Sequence, residues 1–273
     1  MDPLTTSDTE STVNLPILIT GGTGTLGSRV VPLLRDAGPK VRVLSRRRHE
    51  FDHGVEGLTG DLTTGEGVDE AVDGVGTIVH LAGSSKGDDL KTRTLVDAAS
   101  RAGKPHLVYI SVVGADRVPV VSRADRAMFG YFAAKLASEQ IVAGSGLPWT
   151  TLRATQFHDL AFATAEQMAK LPVIPVPTGV RFQPVDTGEV AARLVELSLA
   201  EPAGLVPDIA GPRIYEMKDL IRSYLKARGK RRLLVPARLP GKAARAMRDG
   251  ANLAPDRAVG KRTWEDFLVE RLR

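Results

Sequence analysis

A doubly wound α/β fold, a parallel sheet with helices on both faces, is the architecture this chain predicts, and three observations predict it. An apolar run over residues 15–20 ends in four glycines within seven residues, Gly21, Gly22, Gly24 and Gly27, and apolar positions then recur at helical spacing through Leu34. Short β-branched or apolar runs go on alternating with helical periods as far as residue 153. At 273 residues and 42% hydrophobic content the chain can bury a sizeable core, while no run approaches the ~20 apolar residues needed to cross a bilayer. Strands separated by helices join through right-handed crossovers, which place helices on both faces of a parallel sheet.

Taken in order, strands are expected at 15–20, 41–45, 55–58, 76–81, 107–112 and 150–153, with helices at 26–37, 65–72, 90–102 and 128–143. Beyond Arg153 the rhythm loosens. A helix at 156–170 precedes the run LPVIPVP (171–177), whose three prolines hold it extended. A strong helix at 187–199 follows, then a strand at 206–210, a helix at 216–228, a strand at 233–236 and short helices at 241–249 and 263–271. The expectation is one domain over 15–273, with 156–273 contributing a small C-terminal substrate-facing lobe. The first 14 residues, MDPLTTSDTESTVN, are acidic and Ser/Thr-rich; they read as a disordered leader and not as a signal peptide. With no cysteine, disulfides, thiolate metal sites and a Cys nucleophile are excluded. A cytoplasmic, enzyme-like protein is the default.

Strand, glycine turn and helix together form a phosphate-binding signature. Gly21, Gly24 and Gly27 let a backbone approach a pyrophosphate that side chains would obstruct, and the following helix aims its free N–H groups at the anion. In dinucleotide folds an acidic residue at the end of the second strand accepts from the ribose hydroxyls. Here Ser45 is followed by Arg46, Arg47 and Arg48. An arginine at that point pairs with a 2′-phosphate that a carboxylate would repel, so NADP(H) is preferred, with NAD(H) possible. After the third strand, Asp61 either accepts from the adenine amino group or caps a helix.

Charge is unevenly placed. The net charge is +5, yet residues 226–273 hold 14 Lys/Arg against 5 Asp/Glu, or +9, leaving −4 for the first 225. Lys242, Arg245 and Arg248 recur every three residues on a short helix, opposite Ala243, Ala246 and Met247. Such a helix suits a cleft cover, an acidic partner or simply a solvated face. Without interleaved aromatics it is a poor nucleic-acid surface. The five histidines show no metal-ligand spacing. His80 and His106 read as packing or loop residues and not as catalysts, while Gln156 and His158 either line a pocket or begin a helix.

Tyr131 and Lys135 share one helix face at i, i+4. A lysine ammonium beside a phenol stabilises the phenolate and suits the tyrosine to proton exchange with a carbonyl oxygen. Several stretches now carry a family resemblance: Thr20 to Gly27, Gly60-Asp61-Leu62, His80-Leu81-Ala82-Gly83, Tyr109-Ile110-Ser111, Tyr131 to Lys135 and Leu152 to Phe157. From about residue 15 to 270 the chain resembles the atypical short-chain dehydrogenase/reductases, specifically their NmrA-like branch with a Rossmann fold.

The resemblance implies cofactor contacts at Gly21, Thr23, Gly24, Thr25, Leu26, Gly27, Ser45, Arg46, Arg47, Asp61, Leu62, Leu81, Ala82, Gly83, Ser111, Lys135, Ala154 and Phe157. It also implies Tyr131 as proton donor, Lys135 as its tuner and ribose anchor, and Ser111 as an assisting hydroxyl. The family's hydroxyl position falls on Val112 or Val113. Either Ser111 substitutes, or Tyr131 alone holds the substrate oxygen, or no carbonyl chemistry occurs. Two functions are therefore expected. One is an NADP(H)-dependent oxidoreductase acting on a small carbonyl, quinone or enone; the other is an NADP(H)-binding sensor that meets a protein partner without turnover. Oligomeric state is left open.

Overall fold

The computed structural model describes residues 15–83 and 87–273; the leader expected over the first 14 residues lies outside them. The chain divides into two compact units. The first runs to Tyr109 and adds Ser138–Thr151 and Ala191–Leu205; the second comprises Ile110–Ala137, Leu152–Val190 and Val206–Arg273.

The strands are β1 (Ile17–Thr20), β2 (Val41–Ser45), β3 (Val55–Thr59), β4 (Thr77–His80), β5 (His106–Val112), β6 (Trp149–Ala154), β7 (Val173–Pro177), β8 (Arg181–Phe182), β9 (Gly204–Leu205), β10 (Tyr215–Glu216) and β11 (Leu233–Ala237). The helices are α1 (Gly27–Asp36), α2 (Val68–Val72), α3 (Asp88–Arg101), α4 (Arg123–Ala143), α5 (His158–Met168), α6 (Thr187–Ser198), α7 (Met217–Ala227), α8 (Lys242–Arg248) and α9 (Trp264–Arg271).

The first unit is organised on a seven-stranded sheet of order β3-β2-β1-β4-β5-β6-β9. It is the doubly wound parallel sheet expected from the sequence. Strands buried on both faces read as unbroken apolar runs, and β1 and β5 are buried along their whole length. At the edge, β3 is largely exposed, and its Glu56 accepts from Arg42 of β2 at 2.9 Å. The parallel register sets Thr20 level with Leu44 on one side and His80 on the other. The C-terminal ends of β1, β2 and β4 therefore finish together, where the strand order reverses and ligands of such folds bind.

Beneath that edge the core joins Leu18, Leu44, Ile78, Leu95 and Leu107 with Val142 and Leu147. A buried polar chain crosses it. His80 Nδ1 lies 2.7 Å from Thr20 Oγ1, its Nε2 lies 3.2 Å from Thr92 Oγ1, and Thr92 bonds Ser138 Oγ at 3.1 Å. Stacked on Tyr109 at 5.5 Å, His80 is a packing residue, as read from the sequence. So is His106, whose Nε2 meets Thr150 Oγ1 at 2.8 Å and whose pKa burial pushes down.

The second unit has two small sheets, parallel β7–β11 and antiparallel β8–β10. The proline-rich run predicted as extended is β7. Its core gathers Phe162, Ile174, Leu220, Ile221, Tyr224, Trp264 and Phe267, with Trp264 Nε1 donating to Ser223 Oγ at 2.7 Å. His158 is fully buried, its ring centroid 5.3 Å from Phe267 and 6.1 Å from Trp264. Gln156 bonds Asn252 O and Gln183 N. Both therefore sit in structural surroundings.

Three boundaries differ from the sequence reading. The strand expected at 206–210 does not form: β9 ends at Leu205, Pro207 has no N–H to give a ladder, and Ile209 pairs again only as an isolated bridge to Ala154. Helix α4 begins at Arg123, five residues early, because Asp125 N donates to Ser122 Oγ and Ser122 N to Asp125 Oδ2, the reciprocal pattern of a capped helix start. The two-residue strands β8 and β10 are too short to leave a periodic signal.

Asp186 heads α6. The His158 ring, with Nδ1 4.0 Å away, the Gly188 and Glu189 amides and the Arg262 guanidinium hold its carboxyl down at about 2 against the opposing effect of burial. A depressed carboxyl contributes stability above its unfolded pKa and loses it as pH falls through the folded value. Asp186→Asn is expected to destabilise the protein by about 1–2 kcal/mol at pH 7. Urea titrations should show that difference shrinking between pH 4 and pH 2; a difference independent of pH would contradict it.

Candidate functional site

In the first unit the ends of β1, β2 and β4 frame a cavity of about 320 Å³. Gly21, Thr23, Gly24, Ser45, Arg46, Asp61, Leu62, Leu81, Ala82 and Gly83 line it, so most of the residues expected at a cofactor come together. Thr20, Leu44, Gly60 and Lys91 join them. Leu44 and Gly60 adjoin predicted residues. Lys91, on the first turn of α3, had no signal beyond its charge, and its position depends on how α3 folds back over the sheet. Thr25, Leu26 and Gly27 form the turn into α1 instead of the lining, and Arg47 is likewise outside it.

Steric room explains the glycines. Gly21 has φ +74°, and a Cβ there would lie 2.6 Å from Ala82 N. A Cβ on Gly27 would sit 2.2 Å from Gly21 O, because α1 is seated directly on the loop. Gly24 differs: its Cβ would meet only Gly21 O, at 3.3 Å, and otherwise project into open space. The first helical bond is Ser28 N to Gly24 O at 2.8 Å, so the amides of Thr25, Leu26 and Gly27 precede it. Helix α1 has no side-chain cap and no acidic residue in its first turn. Its positive dipole end is thus left for an external anion.

Both signs of charge meet at the far wall. Asp61 Oδ1 accepts from Thr63 N at 2.7 Å, the largest of the effects that lower its pKa, with Arg46 and Lys91 adding to it. That bond closes a turn local to Asp61 and Thr63; α2 begins only at Val68, with Gly67 at its N-cap and no side-chain cap, so Asp61 does not cap a helix, and it borders the cavity. The Ser45 hydroxyl donates to Arg47 O at 2.5 Å and folds the arginine turn back on the end of β2. No carboxylate stands at that strand end, and Arg46 is exposed at the rim. Glycine cradle, uncapped helix and two cations fit a dinucleotide carrying an extra phosphate.

The second unit holds Ser111, Tyr131, Lys135, Ala154 and Phe157. Tyr131 is 41% exposed, whereas Lys135 is only 4% exposed. The Lys135 ammonium donates to Ile110 O at 3.3 Å and stands 5.7 Å from the Tyr131 ring centroid. The i, i+4 pair therefore does share one face. Ser111 is also 4% exposed, and its Oγ has no hydrogen-bond partner among the described residues. An unsatisfied buried hydroxyl costs ~1–3 kcal/mol, so its orientation calls for a partner. Val112 and Val113 offer none: Val112 packs with Phe132 and Met247, and Val113 with Ala210 and Ala254. Ala154 closes β6, its carbonyl accepting from Val113 N at 2.9 Å, and Phe157 leads into α5.

The model of an NAD(P)H-binding family matches residues 21–199, and the chain belongs to that family. It is 33% identical over 147 residues to a (4-alkanoyl-5-oxo-2,5-dihydrofuran-3-yl)methyl phosphate reductase of Streptomyces griseus, covering 52% of this chain and 48% of that protein. It is 30% identical over 208 residues to a ceramide reductase of Caulobacter vibrioides, covering 70% and 63%. The chain thus spans between about half and two thirds of the length of these relatives. Its fold is similar to that of an NADPH-dependent quinone oxidoreductase of Escherichia coli solved with NADPH, with TM-score 0.77, 19% identity and coverage of 94% of this chain and 100% of that one. Fold and family agree with the resemblance read from the motifs. Among the described residues, no helix is long and apolar enough to cross a membrane.

Proposed function

We propose that this chain is an NADP(H)-dependent oxidoreductase that reduces a small carbonyl, quinone or enone. The observation that carries the reading is the buried Lys135 ammonium beside the exposed Tyr131. An ammonium held at Ile110 O so close to the phenol ring favours the phenolate over the neutral phenol. NADPH, when bound, supplies the hydride.

Tyr131 holds the proton at Oη and gives it to the substrate oxygen. Lys135 stabilises the phenolate left behind, and its backbone bond to Ile110 O fixes where the ammonium sits. The Ser111 hydroxyl donates a second hydrogen bond to the same oxygen, in place of the hydroxyl that Val112 and Val113 lack. Gly21, Gly24 and the start of α1 hold the pyrophosphate, and Arg46 with Lys91 holds the 2′-phosphate. The remaining cofactor contacts are those assigned above to Thr23, Thr25, Leu26, Gly27, Ser45, Arg47, Asp61, Leu62, Leu81–Gly83, Ala154 and Phe157. The segment 156–273 is the substrate lobe.

Both relatives named above are reductases, and this does not favour a sensor without turnover. The test is NADPH oxidation followed at 340 nm over a panel of quinones, aldehydes and enones. Turnover with several of them is expected; tight NADPH binding with none would overturn the proposal. Arg46→Glu is expected to weaken NADPH binding by about 10–100-fold, since a hydrogen bond to a charged group is worth ~1.5–3 kcal/mol. Fluorescence titration should show NADH much less affected. Equal losses for the two cofactors would remove Arg46 from the 2′-phosphate.

A further inference from the structure

The second unit carries another charged hollow. Arg238, Lys242, Arg245 and Arg248 line a concavity of about 460 Å³, together with the turn at residues 239–241. No carboxylate lines it, and among the described residues none of the four cations forms an ion pair, whereas Arg193, Arg228 and Arg262 each sit against a carboxylate. Like charges around one hollow repel, and a concave wall of one sign focuses the field on its centre.

The arrangement is built and not merely a basic stretch of chain. Arg248 Nη1 donates to Leu239 O at 2.9 Å, which fixes one guanidinium along the wall. Gly241 has φ +101°, and a Cβ there would lie 2.6 Å from Asp125 Oδ1. The same oxygen accepts from Ala243 N at 3.4 Å and ties α8 to the first turn of α4. On its inner side α8 sets Ala243 and Met247 into one cluster with Val112 and Phe132. Those two residues directly follow Ser111 and Tyr131 in the chain. The hollow is therefore anchored to the same core as the proton-transfer pair.

We infer that this hollow binds the phosphoryl group of the substrate, so that the protein acts on phosphorylated carbonyl or enone compounds. The inference rests on the oxidoreductase reading. Arginine forks match phosphoryl oxygens bidentately, and three arginines with one lysine suit a group carrying two negative charges. A hollow of this volume also admits the first carbons of the chain that joins the phosphoryl group to the reacting end. A flat anionic surface would engage cations spread over an open face, whereas these four line a single concavity.

Two measurements test it, each on the wild-type chain and on Lys242→Gln and Arg245→Gln, both exposed helix positions. The first is calorimetric titration with inorganic pyrophosphate in the presence of saturating NADP⁺. Wild type should bind, and each variant should bind at least tenfold more weakly. Unchanged binding in both variants, or none in wild type, would overturn the site. The second compares an enal bearing a terminal hydroxyl with its phosphate monoester. The ratio of KM for the hydroxyl compound to KM for the phosphate should fall at least tenfold in each variant. Pyrophosphate binding without any change in that ratio would mean a free anion is bound, and would overturn the assignment to substrate. If wild type turns over neither compound, the oxidoreductase reading fails, the substrate assignment falls with it, and the titration alone decides whether the anion site stands.

Discussion

Tyr131→Phe is expected to lower kcat for NADPH-dependent reduction by about 10²–10⁴-fold, the usual contribution of a positioned general acid, with NADPH affinity within twofold of wild type. The hydroxyl is the one group removed, and at 41% exposure the ring is not part of a tight core whose collapse could mimic a catalytic defect. The ring's neighbour Phe132, 6.1 Å away edge-on, keeps its packing. Single-turnover kinetics with preformed NADPH complex would place the loss in the chemical step. Full activity in the variant would remove Tyr131 from proton transfer and leave Ser111, the other hydroxyl near the end of β5, as the donor to examine.

Gly24→Val should separate folding from cofactor binding more cleanly than any other change in the loop. At Gly21 and Gly27 a side chain collides with backbone, so substitutions there would damage the unit itself. At Gly24, which lines the cavity, the sole atom within 4 Å of an added Cβ is Gly21 O, at 3.3 Å. Its φ lies outside the range reserved for glycine. The fold should therefore lose no more than ~1–2 kcal/mol, within the ordinary range for single substitutions, while NADPH affinity falls at least 100-fold. Chemical denaturation and NADPH titration on the same sample check both halves. A variant that binds NADPH normally would mean the pyrophosphate does not pass over Gly24.

Much of the first unit was legible because its signals are local. Continuous apolar runs mark strands buried on both faces, and glycines mark the turn where the backbone runs close to other backbone. The nucleotide side of the site was legible for the same reason: Gly21 and Arg46 directly follow strands, Ser45 closes one, Asp61 and Gly24 lie two and four residues beyond one, and the sheet register brings strand ends level. Lys91 was missed because its place depends on the docking of α3, which no spacing in the sequence encodes. The apolar residues over 206–210 suggest a strand, but Pro207 withholds one N–H from the ladder and leaves only an isolated bridge at Ile209. Ser122 and Asp125 carried a capping pattern, but the apolar period of α4 becomes regular only near Met128 and drew the boundary inward. The chemical roles of Tyr131, Lys135 and Ser111 came from a resemblance and from i, i+4 geometry. What the structure adds is the contrast in burial between phenol and ammonium, and the unsatisfied serine hydroxyl.

The seat of α1 on its loop has a thermodynamic consequence. Gly22 would press a Cβ to 2.6 Å from Val43 Cγ1, and Gly27 abuts Gly21 and Gly22, so strand, loop and helix interlock without slack. The conformational entropy of this loop is surrendered when the chain folds and not when a dinucleotide arrives. If Arg46 holds the 2′-phosphate as proposed, discrimination between cofactors then falls to the exposed arginine turn that follows β2. An exchange of residues over 46–48 would retune cofactor choice without disturbing the rigid half, which makes that short turn the place where this protein's preference is most easily rewritten.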